Sequence, residues 1–356
     1  MKRASVVLII GVLLIAACAP QAAPAAAPEE PAAEAPAAEE PAAESAAEEK
    51  YVIGVAYEGP TNDWAAAMMY HLQYSFDIKY ADKVEQVYYE SADGDATKQV
   101  GQVENLLAKD IDALMLQPLS ETAMVPLVEQ AFDAGIPVFI FGAGIQTDKY
   151  TSYIDRDNYG TGFKFATYMC ESLGGEGKVV AVMGEPGSGY SEDVLRGVTD
   201  GLAECPGVEN LGVDYGEYSP ALSKQKMETF LAANPDITGV ITDGALMAMG
   251  VLEAYVDAGL PLPYVTCDDW NGFQNVAMEL DFDKYITVPG GSEASGIAAD
   301  VLFEYLAGNE VDKEYIIPLQ VFSGDEVQAM VPEGMPDSYW ALNRIPEEYR
   351  DLYWGQ

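Results

Sequence analysis

Carboxylates and aromatic rings are the side chains with which this sequence could do chemistry. Paired acids suited to glycoside hydrolysis could be drawn from Glu58, Asp63, Asp243 and Asp268. The same types of group, a carboxylate beside an aromatic ring, would instead bind a polyhydroxy compound through its hydroxyls and its apolar face. The sequence has a single histidine, His71, which excludes His-based triads and multi-histidine zinc sites.

Two segments resemble ligand loops only superficially. Residues 184–189 are rich in glycine, but they lack the lysine and the spacing of a phosphate-binding loop. Asp155-Arg156-Asp157 lacks the remaining ligands of a calcium loop. No nucleophile motif accompanies the acids, so the sequence predicts no metal ion, no cofactor and no enzyme activity.

The charge of the chain limits its partners. Its 356 residues include 18 Lys and Arg against 58 Asp and Glu, a formal charge of −40. Nucleic acid needs clustered basic residues, and an anionic membrane surface attracts them, so both are excluded as direct partners. With 49% hydrophobic residues, the chain is long enough to build two domains with buried cores.

The N-terminal sequence is typical of an export signal followed by a lipid anchor. Residues 1–17 combine Lys2 and Arg3 with an apolar run that is too short to span a bilayer and ends in small residues. The run up to Cys18 resembles a bacterial lipobox, which implies that Cys18 is lipidated. Residues 19–50 contain 15 Ala, 6 Pro and 8 Glu. Such a composition predicts that residues 18–50 form a lipid anchor and a disordered tether.

From residue 51 onward, short apolar runs alternate with amphipathic stretches. Strands are predicted at residues 51–57, 84–90, 113–117, 138–142, 179–183, 211–214, 239–242, 264–268 and 285–288. Helices are predicted at residues 95–109, 121–134, 160–173, 220–233, 245–258 and 293–306. This alternation predicts an α/β protein with parallel, doubly wound sheets, whose ligands bind at the carboxyl ends of the strands.

Several motifs, taken in order, resemble those of a known family. They are Asn62-Asp63-Trp64, Gly135-Ile136-Pro137-Val138, Tyr153-Ile154-Asp155-Arg156-Asp157-Asn158, Asn234-Pro235-Asp236-Ile237, Met247-Ala248-Met249-Gly250 and Cys267-Asp268. Over about residues 51–320 the chain resembles the type I periplasmic binding proteins of sugar ABC transporters, of the ribose-binding kind. The resemblance implies two lobes joined by a hinge of three crossings.

Domain boundaries follow from the same resemblance. We expect a first lobe of residues 51–155 and 290–317, and a second lobe of residues 156–289 and 318–331. The hinge is expected at Asp155, Pro289, Gly290 and Pro318. Residues 332–356 extend beyond the ribose-binding pattern and are predicted to form a C-terminal strap that packs back on the lobes.

The resemblance also implies a ligand site between the lobes. Asn62 and Trp64 match a polar and aromatic pair of the first lobe, while Tyr218 and Asp268 match an aromatic ring and a hydroxyl acceptor of the second. Further candidates on loops that follow strands are Tyr190, Asp243 and Trp270. The charged or amide groups of the family fall on Gly142-Ala143, near Val194 and near Gly290, so we expect a small neutral sugar or polyol.

The predicted function is capture of this ligand by hinge closure and its delivery to an ABC permease. The protein would be a monomer, exported and lipid-anchored on the outer face of the cytoplasmic membrane, in the periplasm or at the cell surface. Two alternatives stay open: a carboxylate-based glycoside hydrolase, and a binding protein that feeds a sensor or chemoreceptor.

The sequence also predicts the state of the remaining cysteines and the exposure of the histidine. Export exposes thiols to an oxidising setting, and Cys170 and Cys205 lie near the ends of two helices that flank the strand at 179–183. They are candidates for a disulfide if both helices lie on one face of the sheet. Cys267, within a predicted strand, should be a buried free thiol, and His71 is expected at the surface.

Overall fold

The computed structural model describes residues 50–355. The predicted signal, Cys18 and almost all of the tether therefore lie outside the described residues. The described part belongs to one compact unit and contains two six-stranded sheets, each flanked by helices, which confirms the predicted α/β fold with two parallel-sheet lobes. No helix among residues 50–355 combines the length and the apolarity that a membrane span requires.

The first sheet is parallel throughout, in the order β11-β5-β4-β3-β1-β2. Its strands are β1 (Tyr51–Tyr57), β2 (Val84–Ser91), β3 (Ala113–Leu116), β4 (Val138–Phe141), β5 (Ser152–Arg156) and β11 (Glu314–Ile317). All residues of β3 and β4 are buried. Continuous apolar runs of this kind are typical of central strands covered by helices on both faces.

The second sheet has the order β12-β10-β9-β8-β6-β7, and only its edge strand β12 is antiparallel. Its strands are β6 (Gly177–Met183), β7 (Val208–Tyr215), β8 (Gly239–Thr242), β9 (Tyr264–Asp268), β10 (Tyr285–Val288) and β12 (Phe322–Ser323). We refer to each sheet with its packed helices as the first and the second lobe.

Some helices begin and end at residues that cap them. They are α1 (Asp63–Tyr74), extended by a π-helical turn (Ser75–Lys79), α2 (Ala96–Leu107), α3 (Val125–Asp133), α4 (Asn158–Ser172), α5 (Gly189–Ala203), α6 (Pro220–Ala233), α7 (Ala245–Ala258), α8 (Asn271–Glu279), α9 (Ala294–Leu306), α10 (Gly324–Gln328) and α11 (Glu347–Trp354). The Ser219 side chain caps α6 ahead of Pro220, and Gly259 ends α7 in the left-handed conformation.

The chain passes between the two sheets three times. It leaves the first sheet after β5, returns between β10 and α9, and leaves again between β11 and β12. Although α9 follows a second-lobe strand, its buried face packs in the core of the first lobe. Leu302 is one of its residues in that core. The first crossing directly follows β5, which pairs with β4 and β11.

The C-terminal segment, residues 332–355, which we call the strap, contacts both lobes. On the second lobe, Asn271 N donates to Tyr339 O and Gly272 N donates to Asp337 O, at 2.8 and 3.0 Å. On the first lobe, the rings of α11 pack against α1, with Tyr353 5.3 Å from Tyr70 between ring centroids. Residues of both lobes and of the strap therefore share one apolar cluster.

The strap explains why the prediction for His71 was wrong. His71 lies on α1 and is 1% exposed. Its Nδ1 hydrogen-bonds to Ala67 O at 2.8 Å, and its Nε2 accepts from the backbone N–H of Arg344 at 3.4 Å. Burial lowers the pKa of His71 to about 4, so the imidazole is neutral. The sequence around His71 has no signal of the distant segment that covers it.

Candidate functional site

Polar side chains collect where the strands of the second sheet end. Tyr190 follows β6, Tyr218 follows β7, Asp243 follows β8, and Asp268 is the last residue of β9. Carboxyl ends of parallel strands meet at one edge of a sheet, so these four side chains are brought together. Burial raises the pKa of Tyr190, and the nearby Asp243 and Asp268 carboxylates raise it further.

Tyr218 is held by an unusual backbone. Both Glu217 and Tyr218 are in the left-handed region, with φ of 49° and 50°. The ring fills space that glycine leaves, since a Cβ on Gly184 would come within 2.3 Å of its Cζ. Its hydroxyl is 3.3 Å from Ser191 Oγ. Burial, followed by the nearby Asp243 carboxylate, raises the pKa of Tyr218, which is therefore a neutral hydroxyl.

Asp243 is a buried acid with spare acceptors. It is 1% exposed, and neither carboxylate oxygen has a hydrogen-bond partner of good geometry within residues 50–355. Burial raises its pKa to about 6, although the nearby Ser191 hydroxyl and the Gly184 amide oppose the shift. The Tyr190 hydroxyl donates to the backbone O of Asp243 at 3.0 Å and so fixes the loop.

Asp268 and Asp269 form an adjacent acidic pair. Asp268 is half-buried, and its Oδ1 accepts from Ala245 N, at the start of α7, at 3.0 Å. Burial and then Asp269 raise its pKa to about 7. Asp269 accepts from Gly290 N at 2.7 Å and from Leu342 N at 2.6 Å, which ties the end of β9 to the second crossing and to the strap. Burial raises its pKa to about 6.

Arg156, which the sequence analysis did not select, is the cation of this cluster. It ends β5 at the first crossing, and its guanidinium carbon lies 4.5 Å from the centroid of the Tyr190 ring. Its Nη1 donates to Pro289 O at 3.3 Å. A Cβ on Gly291 would come within 2.3 Å of Arg156 Nε, so glycine leaves room for the side chain. The sequence signal that could have identified Arg156 is its position as a basic residue at a predicted crossing.

The first lobe carries the predicted ligand residues Asn62 and Trp64 at the start of α1. Asn62 is exposed and caps α1, with Oδ1 accepting from Ala65 N at 2.9 Å. Trp64 is half-buried, and its Nε1 donates to Gly290 O at 2.7 Å. The ring of Trp64 therefore lies between α1 and the hinge. The role of Trp64 as a wall of the cleft stays a prediction, as does ligand binding by Asn62, whose oxygen caps α1.

Trp270 lies on the loop between β9 and α8. It is 8% exposed, and its Nε1 donates to Asp63 Oδ2 of the first lobe at 3.1 Å. Its ring lies over Gly272, where a Cβ would meet Cη2 at 2.1 Å. Trp270 therefore joins the two lobes by direct packing and hydrogen bonding.

The predicted hinge residues lie at the connections between the sheets. Asp155 is the penultimate residue of β5, Pro289 and Gly290 follow β10, and Pro318 follows β11. A cavity of about 180 Å³ lies among these crossings and the strap, and none of the seven predicted ligand residues lines it. It is lined by Arg156, Thr161, Pro289, Glu293, Ile297, Ile317, Pro318, Leu319, Gln320, Leu342, Asn343 and Arg344. Burial raises the pKa of Glu293 to about 7.

The described cysteines are all thiols. Cys267 is buried and free, as predicted. Cys170 and Cys205 are also free, so the structure does not contain the bridge considered from sequence. The two thiols are nevertheless neighbours: burial and then a hydrogen bond with Cys205 raise the pKa of Cys170 to about 12. Formation of the bond requires oxidation, and the pairing stays a prediction that thiol counting under denaturing, non-reducing conditions decides.

Close packing of two helices brings these thiols together. A Cβ on Gly162 of α4 would come within 1.8 Å of Val194 O of α5, and one on Gly197 within 2.0 Å of Tyr159 O. Both helices lie on the same face of the second sheet and end at the same edge. Within residues 50–355, no group of three or more Asp, Glu, His or Cys side chains could hold a metal ion.

The described residues thus form two α/β lobes, with polar side chains gathered at the strand ends of the second sheet. The chain belongs to the family described as "Periplasmic binding protein domain", which matches residues 53–310. The resemblance recognised in the sequence is thereby confirmed. The strap lies beyond the matched residues.

Relatives of the chain are binding proteins. It is 26% identical to the xylitol-binding protein of Mycolicibacterium smegmatis over 75% of this chain and 76% of the relative. It is 27% identical to the ribose import binding protein of Bacillus subtilis over 65% of this chain and 74% of the relative.

Solved structures share the fold. A solute-binding protein from Bacillus halodurans with bound myo-inositol superposes with a TM-score of 0.70 at 22% identity, covering 79% of this chain and 97% of that one. The fructose-binding periplasmic domain of a hybrid two-component system gives 0.68 at 23% identity, covering 79% and 93%. The first belongs to a transporter and the second to a signalling system.

Proposed function

We propose that this protein captures a small neutral sugar or polyol between its lobes. The observation that carries the proposal is the cluster of Tyr190, Asp243 and Asp268 at the carboxyl ends of the second sheet. Carboxylates accept strong, charge-assisted hydrogen bonds from hydroxyls, and flat rings suit the C–H face of a sugar. Relatives that bind xylitol and ribose support this ligand class.

The charge of the site favours a neutral ligand. Arg156 is the cation of the cluster, and it faces Asp155, Asp268 and Glu293. The strand-end positions at Gly142 and Ala143 carry no donor side chain. A phosphate or a carboxylate would therefore enter a site in which acids outnumber the guanidinium.

Capture follows from contacts that need both lobes. The indole N–H of Trp270 reaches Asp63 across the cleft, and that of Trp64 reaches the second crossing. A ligand held by Asp268 on one side and Trp64 on the other would add its contacts only in the closed form. It would shift the open-to-closed population by its differential affinity for the two forms.

Delivery completes the proposal. Lipidation at Cys18, followed by the tether, would hold a monomeric protein at the outer face of the cytoplasmic membrane, where the closed form docks on an ABC permease. Supply of a sensor is the second candidate, because one structural neighbour is the fructose-binding domain of a two-component system. Adjacent genes for a permease and an ATPase, or for a histidine kinase, discriminate the two.

Mass spectrometry of the denatured, freshly purified protein identifies any ligand that co-purifies. Isothermal titration with xylitol, D-ribose, D-allose, myo-inositol and D-ribose 5-phosphate then tests the ligand class, and a neutral compound should bind most tightly. Preference for the phosphate, or for an amino acid added to the panel, overturns the proposal. For the anchor, Cys18→Ser should release the full-length protein from the membrane fraction, and unchanged association contradicts lipidation.

A further inference from the structure

The second crossing accommodates an aromatic ring from the strap. Gly290 has no side chain, and a Cβ there would come within 2.1 Å of Cζ3 and 2.5 Å of Cε3 of Trp340. The indole therefore lies directly against the backbone of the hinge, in space that only glycine leaves open. Trp340 is 5% exposed, so the contact is an interior one.

Hydrogen bonds on both sides of Trp340 fix its position. The carbonyl of Tyr339 accepts from Asn271 N at 2.8 Å, and Leu342 N donates to Asp269 Oδ2 at 2.6 Å. Trp340 itself pairs with Trp270 in an isolated antiparallel bridge. The strap is thereby held in register with the residues that immediately follow Asp268.

Gly290 connects this ring with the ligand residues of both lobes. Its carbonyl accepts from Trp64 Nε1 at 2.7 Å, and its N–H donates to Asp269 Oδ1 at 2.7 Å. Trp340 thus packs on the residue that links the first-lobe ring to the neighbour of Asp268. A ligand held by Trp64 and Asp268 would therefore be bound near this ring.

The indole N–H of Trp340 is unused within the described residues. All four tryptophans lie in this part of the chain, and three of their N–H groups have acceptors: Trp64 on Gly290 O, Trp270 on Asp63 Oδ2 and Trp354 on Ser338 O. Trp340 Nε1 is buried and has no partner among residues 50–355. A buried donor left unsatisfied destabilises the fold, and an acceptor supplied from outside the chain would offset this cost.

We propose that Trp340 is a ligand-contacting residue, whose ring closes the hinge end of the cleft and whose Nε1–H donates to an oxygen of the bound sugar or polyol. The inference rests on the proposed function and extends it, because the strap would then take part in selecting the ligand. A compound that presents a hydroxyl or ring oxygen at this position is preferred over its deoxy analogue.

The test compares two matched substitutions in the strap. W340F keeps an aromatic ring and removes the N–H, and W354F does the same at an indole whose N–H already bonds to Ser338 O. Affinities are measured by isothermal titration for whichever of xylitol, D-ribose, D-allose and myo-inositol the unmodified protein binds. We expect W340F to weaken binding about 3- to 10-fold, the range for one hydrogen bond, and W354F to leave affinity unchanged.

A second measurement separates contact from stability. In ¹H–¹⁵N spectra the Trp340 indole signal is the one absent from W340F, and saturation with the bound compound should shift it more than the Trp354 signal. Equal affinity of W340F and the unmodified protein, with an unshifted Trp340 signal, overturns this inference and leaves the proposed function intact. Failure of the unmodified protein to bind any of the four compounds overturns the proposed function and this inference with it.

Discussion

The strand ends of the two lobes differ in how they use their polar groups. In the first lobe these groups are engaged internally: Gln117 Oε1 accepts from Glu58 N at 3.0 Å, and Asn62 Oδ1 caps α1. In the second lobe Asp243 keeps both carboxylate oxygens free of well-formed bonds within residues 50–355. The second lobe therefore has spare acceptors, and the first lobe presents mainly an aromatic face.

This asymmetry suggests an order of binding. A ligand with hydroxyls finds its directional partners on the second lobe, and the first lobe then covers its apolar side. Hydrogen bonds to charged groups are stronger than neutral ones, so the second lobe should contribute most of the specificity. Substitutions on either side of the cleft test whether the two lobes differ in this way.

Removal of the second-lobe acceptor should have the largest effect. Asp268→Ala is expected to cost roughly 1.5–3 kcal/mol of ligand binding, the scale for a hydrogen bond to a charged group. Isothermal titration with the compound that binds the unmodified protein measures this loss. Asp283→Ala, an exposed acid of the same lobe, is the matched control and should not change affinity. Equal affinities of the two variants would show that the second lobe does not dominate.

Loss of the first-lobe ring should have a comparable or smaller effect. Trp64→Ala removes the apolar contact and the indole bond to Gly290, and about 1.5–3 kcal/mol of binding should be lost. Trp64→Phe keeps a ring and should retain most of the affinity for a polyol. If the alanine variant binds as tightly as the unmodified protein, the ring is a packing residue between α1 and the hinge.

Buried acids should make stability depend on pH in an unusual direction. Burial raises the pKa values of Asp243 and Asp269 to about 6 and those of Asp268 and Glu293 to about 7. At neutral pH the unfolded chain has released protons that the folded chain still binds, so the free energy of unfolding should fall as pH rises from about 4 to about 7. His71, whose pKa is lowered, opposes this trend below about pH 6.5 with a single group.

Thermal unfolding between pH 5 and pH 8 tests the expectation. Tm should be higher at pH 5 than at pH 8. In the Asp243→Asn variant this difference in Tm should be smaller, because the substitution removes one of the titrating acids. Asp283→Asn changes the net charge equally at an exposed position and should preserve the slope. A pH profile that is identical for all three proteins would mean that Asp243 does not take up a proton.

Asn62 should show the smallest effect on binding. Asn62→Ala removes the cap of α1 and is expected to lower the free energy of unfolding by about 1 kcal/mol, with little change in affinity. Asn62→Asp restores an acceptor and should recover the stability. If the alanine variant instead loses affinity at unchanged stability, the first lobe also binds the ligand through a polar group.

Local patterns in the sequence predict most of the frame of this protein. The bounds of β8, β9 and β10, and those of α6 and α7, coincide with the predicted ones, because apolar runs and caps define them within the segment itself. The edge strands β11 and β12 were not predicted, since they bury little apolar surface. The loops that carry Tyr218, Asp243 and Asp268 follow from the same alternation.

The remainder of the site depends on contacts between distant segments. Arg156 is brought to Tyr190 by the first crossing, and Trp340 meets Gly290 across 50 positions of sequence. The structure also shows that Trp270 joins the lobes. None of these pairings has a periodicity that a sequence pattern could reveal, although the glycine at 290 marks a close approach in retrospect.

The two anchors of the strap also restrict how the cleft can open. Leu342 is bonded to Asp269 of the second lobe, and Arg344 is bonded to His71 and, at 2.9 Å, to Asp300 of the first. Two residues of extended chain span at most about 7 Å. While both sets of hydrogen bonds are intact, the two lobes can separate beside Gly290 by no more than the span of these two residues. The axis about which the lobes rotate on opening must then pass close to residues 342–344. The displacement is therefore largest at the side of the cleft that is farthest from these residues.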